Sequence, residues 1–361
     1  MKKLTVLLFF VQTLAISAIP CWQRVEKAGW TYFSIPDSVF PQVDSIRYIV
    51  SQPFNPENPT VFFLDGSGNR PLLLYHDFED GRTWNDVFLS SFGAGNYVEY
   101  YNFVLIAKPG TPICGLHTGE LPLIDTAFGC IWTFLRFDFL NYYVEQLNQV
   151  VDDVRKRSNP DAPFFFIGSS RGGNVVATFA ERHPEKVQRL VMKSAGILGW
   201  QEQRVFLFRR LMDRGEMSSE EAQERIDAAH EWYQFLKDYS TRFSLEDDFD
   251  PEKTSESREQ HYNILSTASF TLNIVLYRLQ NIDVPILVTF GTDDMMTRSN
   301  DFLPFFFTRW GKDNLTMMPI LDANHQFLKT ITNQETNEQE REFIGDAVFS
   351  RIMEWFSGDS Y

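Results

Sequence analysis

Residues 163–173 read PFFFIGSSRGG. The four apolar residues 164–167 predict a buried strand, and the Ala- and Val-rich stretch behind the glycines predicts a helix. Between them, residues 168–172 match the pattern G-x-S-x-G. A serine on such a sharp turn projects its hydroxyl group from the edge of a sheet, and the crowded turn requires small flanking residues. The spacing of the glycines selects Ser170 as candidate nucleophile, with Ser169 as the fallback.

Short apolar runs typical of strands recur on both sides of this motif. They lie at residues 30–35, 45–51, 60–64, 102–107, 187–194, 285–290 and 315–321. A helical pattern at 142–157 separates two of them, and apolar residues at three- and four-residue spacing mark one of its faces. Strands that alternate with helices predict an α/β fold, with a mostly parallel central sheet flanked by helices on both faces.

Residues 200–280 break this alternation, because they are helical in pattern throughout. Ser218 and Glu221 form a capping box. Behind it lies one apolar stripe of residues four and three apart: Ala222, Ile226, Ala229, Tyr233 and Leu236. The segment holds sixteen acidic and ten basic side chains. The predicted organisation is therefore a first part of an α/β core at residues 19–197, a helical lid inserted at 198–281, and a second part of the core at 282–361.

A serine hydroxyl group needs a base to become a nucleophile, and the base needs an acid to orient it. His325 lies in a loop directly after the predicted strand at 315–321, and Asp294 follows the strand at 285–290, with Asp293 as its rival. In chain order the candidates are Ser170, Asp294 and His325, an order in which such triads occur when the serine lies on a strand-to-helix turn. The other histidines read as structural or surface residues: His76, His117, His183, His230 and His261.

The glycine-rich loop at residues 65–68, DGSG, follows an early strand. Such a loop can supply backbone N–H groups to a developing oxyanion. We assign the N–H groups of Ser67 and Arg171 to this oxyanion hole. The chain contains no H-E-x-x-H, C-x-x-C or P-loop motif, and we expect neither a metal nor an organic cofactor.

The first 18 residues have the layout of a secretory signal peptide, with two lysines, an apolar stretch and small closing residues. We therefore expect an exported protein, periplasmic or secreted, without stable membrane insertion once the signal is removed. Cys21 lies close behind the signal, but Pro20 disfavours lipid attachment there. Cys114 and Cys130 could pair or remain separate buried thiols. A net charge of −15 argues against nucleic acid as a partner, and the oligomeric state is unknown.

Four motifs together resemble the α/β-hydrolase superfamily, particularly its members with a helical cap after the sixth strand. They are LDGSG at 64–68, GSSRGG at 168–173, PILVTFGTDD at 285–294 and NHQFL at 324–328. The resemblance covers residues 59–361. Two positions depart from the family pattern: Asp65 stands where histidine is common, and Asn324 stands where glycine is common.

The resemblance implies a serine hydrolase that cleaves an acyl bond of a small-molecule or peptide substrate through an acyl-enzyme, without a cofactor. Our first hypothesis is a carboxylic ester hydrolase. The second is an aminopeptidase similar to proline iminopeptidases, because an acidic lid could bind a substrate ammonium group. The third is a hydrolase-fold binding protein without turnover; the presence of all three residue types in order argues against it.

Overall fold

The structure is a computed structural model that describes residues 19–78, 83–89, 92–116, 131–244, 250, 257–332 and 339–358. The predicted signal peptide at residues 1–18 and Cys130 lie outside the described residues. The strands are β1 (Trp30–Ile35), β2 (Ile46–Ser51), β3 (Thr60–Leu64), β4 (Leu73–Asp77), β5 (Thr83–Val87), β6 (Asn102–Ile106), β7 (Cys114–Leu116), β8 (Phe164–Ser169), β9 (Arg189–Lys193), β10 (Ile286–Gly291), β11 (Leu315–Ile320), β12 (Leu328–Thr332) and β13 (Gln339–Phe343).

Ten helices lie before, between and after these strands in the described part of the chain. They are α1 (Cys21–Lys27), α2 (Ile131–Phe137), α3 (Leu140–Arg155), α4 (Arg171–Arg182), α5 (Trp200–Asp213), α6 (Ser219–Arg242), α7 (Arg258–Thr271), α8 (Val275–Leu279), α9 (Leu303–Trp310) and α10 (Gly345–Ser357). None of the helices in the described part of the chain is long and apolar enough to cross a bilayer.

Within the described residues, the central sheet has eight strands in the order β1-β2-β6-β3-β8-β9-β10-β11. β2 runs antiparallel to both of its neighbours. The other six strands that follow it in the sheet run parallel to one another: β6, β3, β8, β9, β10 and β11. This confirms the predicted α/β fold. Because parallel strands end at the same edge, the loops after β3, β8, β10 and β11 meet there, at the edge where ligands bind in such sheets.

Both faces of the sheet are buried, as the continuous apolar runs predicted. On β8, Phe166 points into a cluster that contains α3 and α4, where it stacks on Phe62 of β3 with ring centroids 5.0 Å apart. Phe165 points to the opposite face and stacks on Phe356 of α10 at 4.6 Å. The alternation of side chains along a strand thus fixes β8 between two apolar layers. The turn at residues 168–172 between β8 and α4 is called the elbow, and α4 is the elbow helix.

Helices α5 to α8 lie between β9 and β10, within the predicted lid at residues 198–281, and these four helices are called the lid segment. The hydroxyl group of Ser218 accepts a hydrogen bond from the N–H of Glu221 at 3.1 Å, which confirms the predicted cap of α6. Ile226 and Leu236 of the predicted apolar stripe are buried, whereas Tyr233 is partly exposed and Tyr239 is buried instead. The stripe continues one turn farther than its sequence pattern indicated.

Two small sheets were not predicted. β5, β4 and β7 form a three-stranded sheet, and β12 pairs with β13 in an antiparallel hairpin. β12 and β13 flank residues outside the described part of the chain, and their polar sequences lack the apolar runs on which the strand predictions depended. Both elements lie outside the central sheet.

Cys114 is bonded to Cys21, with their Cα atoms 5.7 Å apart. A pairing of Cys114 with Cys130, which the sequence left open, is therefore wrong. The partner comes from α1, which the sequence did not predict and which contacts β7 while its Val25 enters the core. A disulfide also occupies the sulfur of Cys21 that a lipid anchor would need.

The disulfide closes a loop with a sequence separation of 93 residues. In the chain-entropy description, long loops gain most from closure, and we expect the double variant Cys21→Ala/Cys114→Ala to lose about 2–4 kcal/mol of unfolding free energy. Urea denaturation measures this loss. Peptide mapping without reductant should recover the Cys21 and Cys114 peptides joined; a link from Cys114 to Cys130 would contradict the structure.

Candidate active site

The turn between β8 and α4 forces its central residue into a rare backbone conformation. Ser170 has φ 51° and ψ −119°, and positive φ is unusual for any residue except glycine. A Cβ atom added to Gly168 would lie 2.4 Å from the carbonyl oxygen of Gly172, and one added to Gly172 would lie 2.3 Å from that of Leu64. The structure therefore requires both glycines for the reason that the motif predicted.

Three side chains predicted from the sequence meet at this turn. The Oγ atom of Ser170 lies 3.1 Å from Nε2 of His325, and Nδ1 of the same ring lies 2.7 Å from Oδ2 of Asp294. Asp294 is only 2% exposed, whereas the histidine ring is partly open to solvent. A buried carboxylate, an imidazole and a hydroxyl group in this sequence can orient the ring and accept the serine proton.

The two rival residues lie elsewhere. Oδ1 of Asp294 accepts a hydrogen bond from the N–H of Met296 at 2.9 Å, which fixes the carboxylate toward His325. Asp293 is half exposed and pairs with Arg210 of the lid segment at 3.4 Å. The hydroxyl group of Ser169 is buried, 3.5 Å from Nζ of Lys193. The contacts of His325 are therefore with Asp294 and Ser170.

Asn324, one of the two residues that depart from the family pattern, stabilises the loop that carries His325. Oδ1 of Asn324 accepts hydrogen bonds from the N–H groups of Gln326 and Leu328, both at 3.0 Å. Phe327 adopts a positive φ of 57° and is fully buried under the loop. An asparagine side chain supplies here a local bond that glycine could not make, so His325 rests on a fixed turn.

Ser67 and Arg171, the predicted oxyanion-hole residues, line one cavity together with Ser170 and His325, and the cavity has a volume of about 420 Å³. The loop at 65–68 approaches the elbow closely, since a Cβ atom added to Gly66 would lie 3.0 Å from Cβ of Ser170. The remaining lining residues come from the elbow helix, the loops after β9 and β10, and the lid segment: Asn174, Ser194, Gly196, Leu198, Gly199, Trp200, Gln203, Thr267, Phe270, Thr271 and Met296.

A buried carboxylate connects the elbow to the lid segment. Oδ2 of Asp138 accepts hydrogen bonds from Arg171 at 2.9 Å and from the hydroxyl group of Ser266 in α7 at 2.8 Å. Its Oδ1 accepts from the hydroxyl group of Tyr143 at 2.7 Å, and burial together with this carboxylate raises the pKa of Tyr143. In the sequence, Asp138 appears only as one acid within the aromatic-rich run 134–140, and it was not predicted as a site residue.

Lys193 lies behind the nucleophile turn, although in the sequence it reads only as the end of a strand. Its side chain is 4% exposed, and its Nζ lies 4.8 Å from the ring centroids of both Phe92 and Phe327. Burial lowers the pKa of Lys193 to about 8, although the carboxylates of Asp65 and Asp294 act in the opposite direction. The ammonium group thus supports the buried side of the histidine loop.

Because burial lowers the pKa of Lys193 from 10.5 to about 8, its contribution to stability depends on pH. Below pH 8 both the folded and unfolded chains hold the proton, and folding bears the cost of burying the charge. Between pH 8 and pH 10.5 the unfolded chain holds more protons than the folded chain, so the contribution of Lys193 to the unfolding free energy rises with pH. We expect Lys193→Met to raise the unfolding free energy at pH 7 by up to about 3 kcal/mol.

The stabilisation of Lys193→Met should shrink as the pH approaches 10.5. Urea denaturation of both proteins between pH 7 and 10.5 measures the difference. A difference that stays constant over this range would contradict a lowered pKa at this position.

Among the described residues, no group of three or more His, Cys, Asp or Glu side chains is arranged to hold a metal ion. The site consists instead of a hydroxyl group, an imidazole and a carboxylate beside a glycine-rich loop. These groups can perform nucleophilic and acid–base chemistry on an acyl carbon.

The mostly parallel sheet, the strained serine turn and the histidine and aspartate loops define the α/β-hydrolase class. The chain belongs to the Hydrolase_4 family, described as serine aminopeptidase S33, whose model matches residues 134–329, more than half of the sequence. The protein is therefore a hydrolase. A search of curated proteins finds no match to it.

Solved structures agree on the fold. A provisionally assigned dipeptidyl aminopeptidase IV from Bacteroides ovatus ATCC 8483 superposes with a TM-score of 0.51 at 10% identity; 92% of this chain covers 36% of that protein. A highly thermostable carboxyl esterase from Bacillus coagulans gives a TM-score of 0.51 at 14% identity, with 91% of this chain covering 98% of it. At such identities the likeness concerns architecture alone.

Proposed function

We propose that the protein hydrolyses carboxylic esters through a covalent acyl-enzyme on Ser170. The observation that carries this proposal is the continuous contact from Ser170 Oγ to His325 Nε2 at 3.1 Å and from His325 Nδ1 to Asp294 at 2.7 Å. The serine stands at the positive end of α4, a helix of 12 residues, where negative charge is favoured.

In the first half of the reaction, His325 accepts the proton of the Ser170 hydroxyl group through Nε2 as Oγ attacks the ester carbonyl carbon. Asp294 accepts the hydrogen bond of Nδ1–H and stabilises the imidazolium that forms. The carbonyl oxygen becomes an oxyanion, for which Ser67 and Arg171 supply backbone N–H groups. Collapse of this intermediate breaks the bond to the alcohol oxygen, which leaves with the proton from His325.

In the second half, water attacks the acyl-enzyme. His325 takes a proton from the water, whose oxygen bonds to the acyl carbon and generates a second oxyanion in the same hole. The bond to Ser170 Oγ then breaks, the acid is released, and His325 returns the proton to the serine. The cycle uses one water molecule and requires no cofactor.

The lining of the cavity favours an ester over a substrate with a free amino group. The fifteen lining residues within the described part of the chain include no aspartate or glutamate, and Arg171 contributes a cation instead. An ammonium group would meet no carboxylate among these described lining residues, which favours the ester over the aminopeptidase alternative. Five acidic residues of the predicted lid lie outside the described residues: Glu246, Asp247, Asp248, Glu252 and Glu256. The volume of about 420 Å³ suits a small or medium substrate.

The helices between β9 and β10 would act as the lid of this cavity. Trp200 and Gln203 of α5, together with Thr267 and Phe270 of α7, contribute to its wall. Such side chains would contact the acyl or alcohol part of the substrate and exclude water from the acyl carbon during attack.

Export to the periplasm or the extracellular space is part of the proposal. The signal-like layout of residues 1–18 supports it. The disulfide between Cys21 and Cys114 supports it as well, because disulfides persist mainly in oxidising compartments.

Steady-state turnover of p-nitrophenyl esters and of amino-acid amides tests the proposed reaction. We expect ester turnover, a loss of at least about 10⁴-fold in kcat/KM for Ser170→Ala, and a loss of about 10³- to 10⁴-fold for Asp294→Asn. Each variant has a neighbour as its matched control: Ser169→Ala and Asp293→Asn should stay within about threefold of the unsubstituted protein, because neither side chain touches His325.

Turnover of amides alone would replace the esterase proposal with the aminopeptidase alternative. No turnover of either substrate class would favour the non-catalytic binding protein. A larger loss in Ser169→Ala or Asp293→Asn than in their partners would refute the assignment of Ser170 and Asp294.

A further inference from the structure

Lys108 follows β6 and reaches the loop at residues 65–68 from the strand beside β3. Its Nζ donates hydrogen bonds to two carbonyl oxygens of this loop, those of Gly66 and Gly68. Bonds from a charged donor are roughly twice as strong as bonds between neutral groups. One ammonium group thus fixes two peptide units of a loop whose glycines would otherwise allow many conformations.

The anchored carbonyl determines where the proposed oxyanion donor points. In a planar trans peptide, the C=O of Gly66 and the N–H of Ser67 belong to one rigid unit and point in opposite directions. Because the carbonyl is held toward Lys108, the N–H of Ser67 is directed to the other side of the loop. Ser67 lines the cavity with Ser170, whereas Lys108 is absent from that lining.

The lysine is held in surroundings that disfavour its charge. Burial lowers the pKa of Lys108, and the carboxylates of Asp65 and Asp138 oppose this effect. Asp65 is otherwise engaged locally, since its Oδ1 accepts the N–H of Gly66 at 2.7 Å. A charge in such a position costs free energy unless it is well bonded, and here its named bonds go to the loop.

We propose that Lys108 is a positioning residue for the oxyanion hole: it holds the loop at 65–68 so that the Ser67 N–H faces the developing charge on the substrate. Lys108 does not touch the reacting atoms and acts only through the loop. This inference rests on the proposed ester hydrolysis at Ser170. We therefore expect loss of Lys108 to reduce the stabilisation of the transition state more than the binding of the substrate.

The test compares Lys108→Met with Lys156→Met, which removes a lysine with 73% of its side chain exposed. We expect Lys108→Met to lower kcat for a p-nitrophenyl ester roughly 10- to 100-fold with little change in KM, because a misplaced donor no longer meets the oxyanion. Lys156→Met should retain the parent kcat. Circular dichroism establishes that each variant is folded, and Lys108→Gln, which keeps two neutral N–H donors, replaces Lys108→Met if that variant is not.

A second readout separates positioning from a general structural effect. Phenylboronic acid forms a tetrahedral adduct with an active serine, and one of its oxygens mimics the oxyanion. Its affinity should fall in the same proportion as kcat/KM in Lys108→Met, while the affinity for the product acid stays unchanged. An unchanged kcat, or an equal weakening of phenylboronic acid and product acid, would overturn the role of Lys108.

The two proposals fail in different ways. Ester turnover that Ser170→Ala abolishes but Lys108→Met leaves intact would sink the role of Lys108 and retain the proposed function. Absence of ester turnover in the unsubstituted protein would sink both.

Discussion

The close contact between the end of β3 and the turn after β8 is the constraint on which the site depends. Leu64 pairs with Gly168 in the sheet, and the carbonyl oxygen of Leu64 leaves no room for a side chain at Gly172. This crowding holds Ser170 in its strained conformation and presses the glycine-rich loop against the nucleophile. Strain of this kind persists only where surrounding structure enforces it, and here two buried apolar layers do so.

Around that contact, charged groups are placed where they hold loops. Lys108 fixes the glycine-rich loop, Lys193 lies under the histidine loop, and Asp138 joins the elbow helix to α7. Each is largely removed from water and would destabilise the fold if left unpaired. Each therefore links a loop or helix of the site to a neighbouring element, and such links are what a preorganised site requires.

The central strands and the three contacting residues were predictable, because both follow from local sequence patterns. Apolar runs with glycine stops identified the central strands, and the order of Ser170, Asp294 and His325 along the chain identified residues that prove to be in contact. The roles of Lys108 and Lys193 were not predictable, since a lysine after a strand reads as solvent-exposed until its neighbours in space are known. The pairing of Cys21 with Cys114 was not predicted for the same reason, since these cysteines have a sequence separation of 93.

Labelling with a fluorophosphonate tests most directly whether Ser170 is an activated nucleophile. The unsubstituted protein and the variants Ser170→Ala, Ser169→Ala and His325→Ala would be treated with the probe, digested and mapped by mass spectrometry. We expect one modified peptide that carries the label on Ser170, retained in Ser169→Ala and lost in the other two variants. Label on a different serine, label that survives Ser170→Ala, or no label on the folded protein would contradict it.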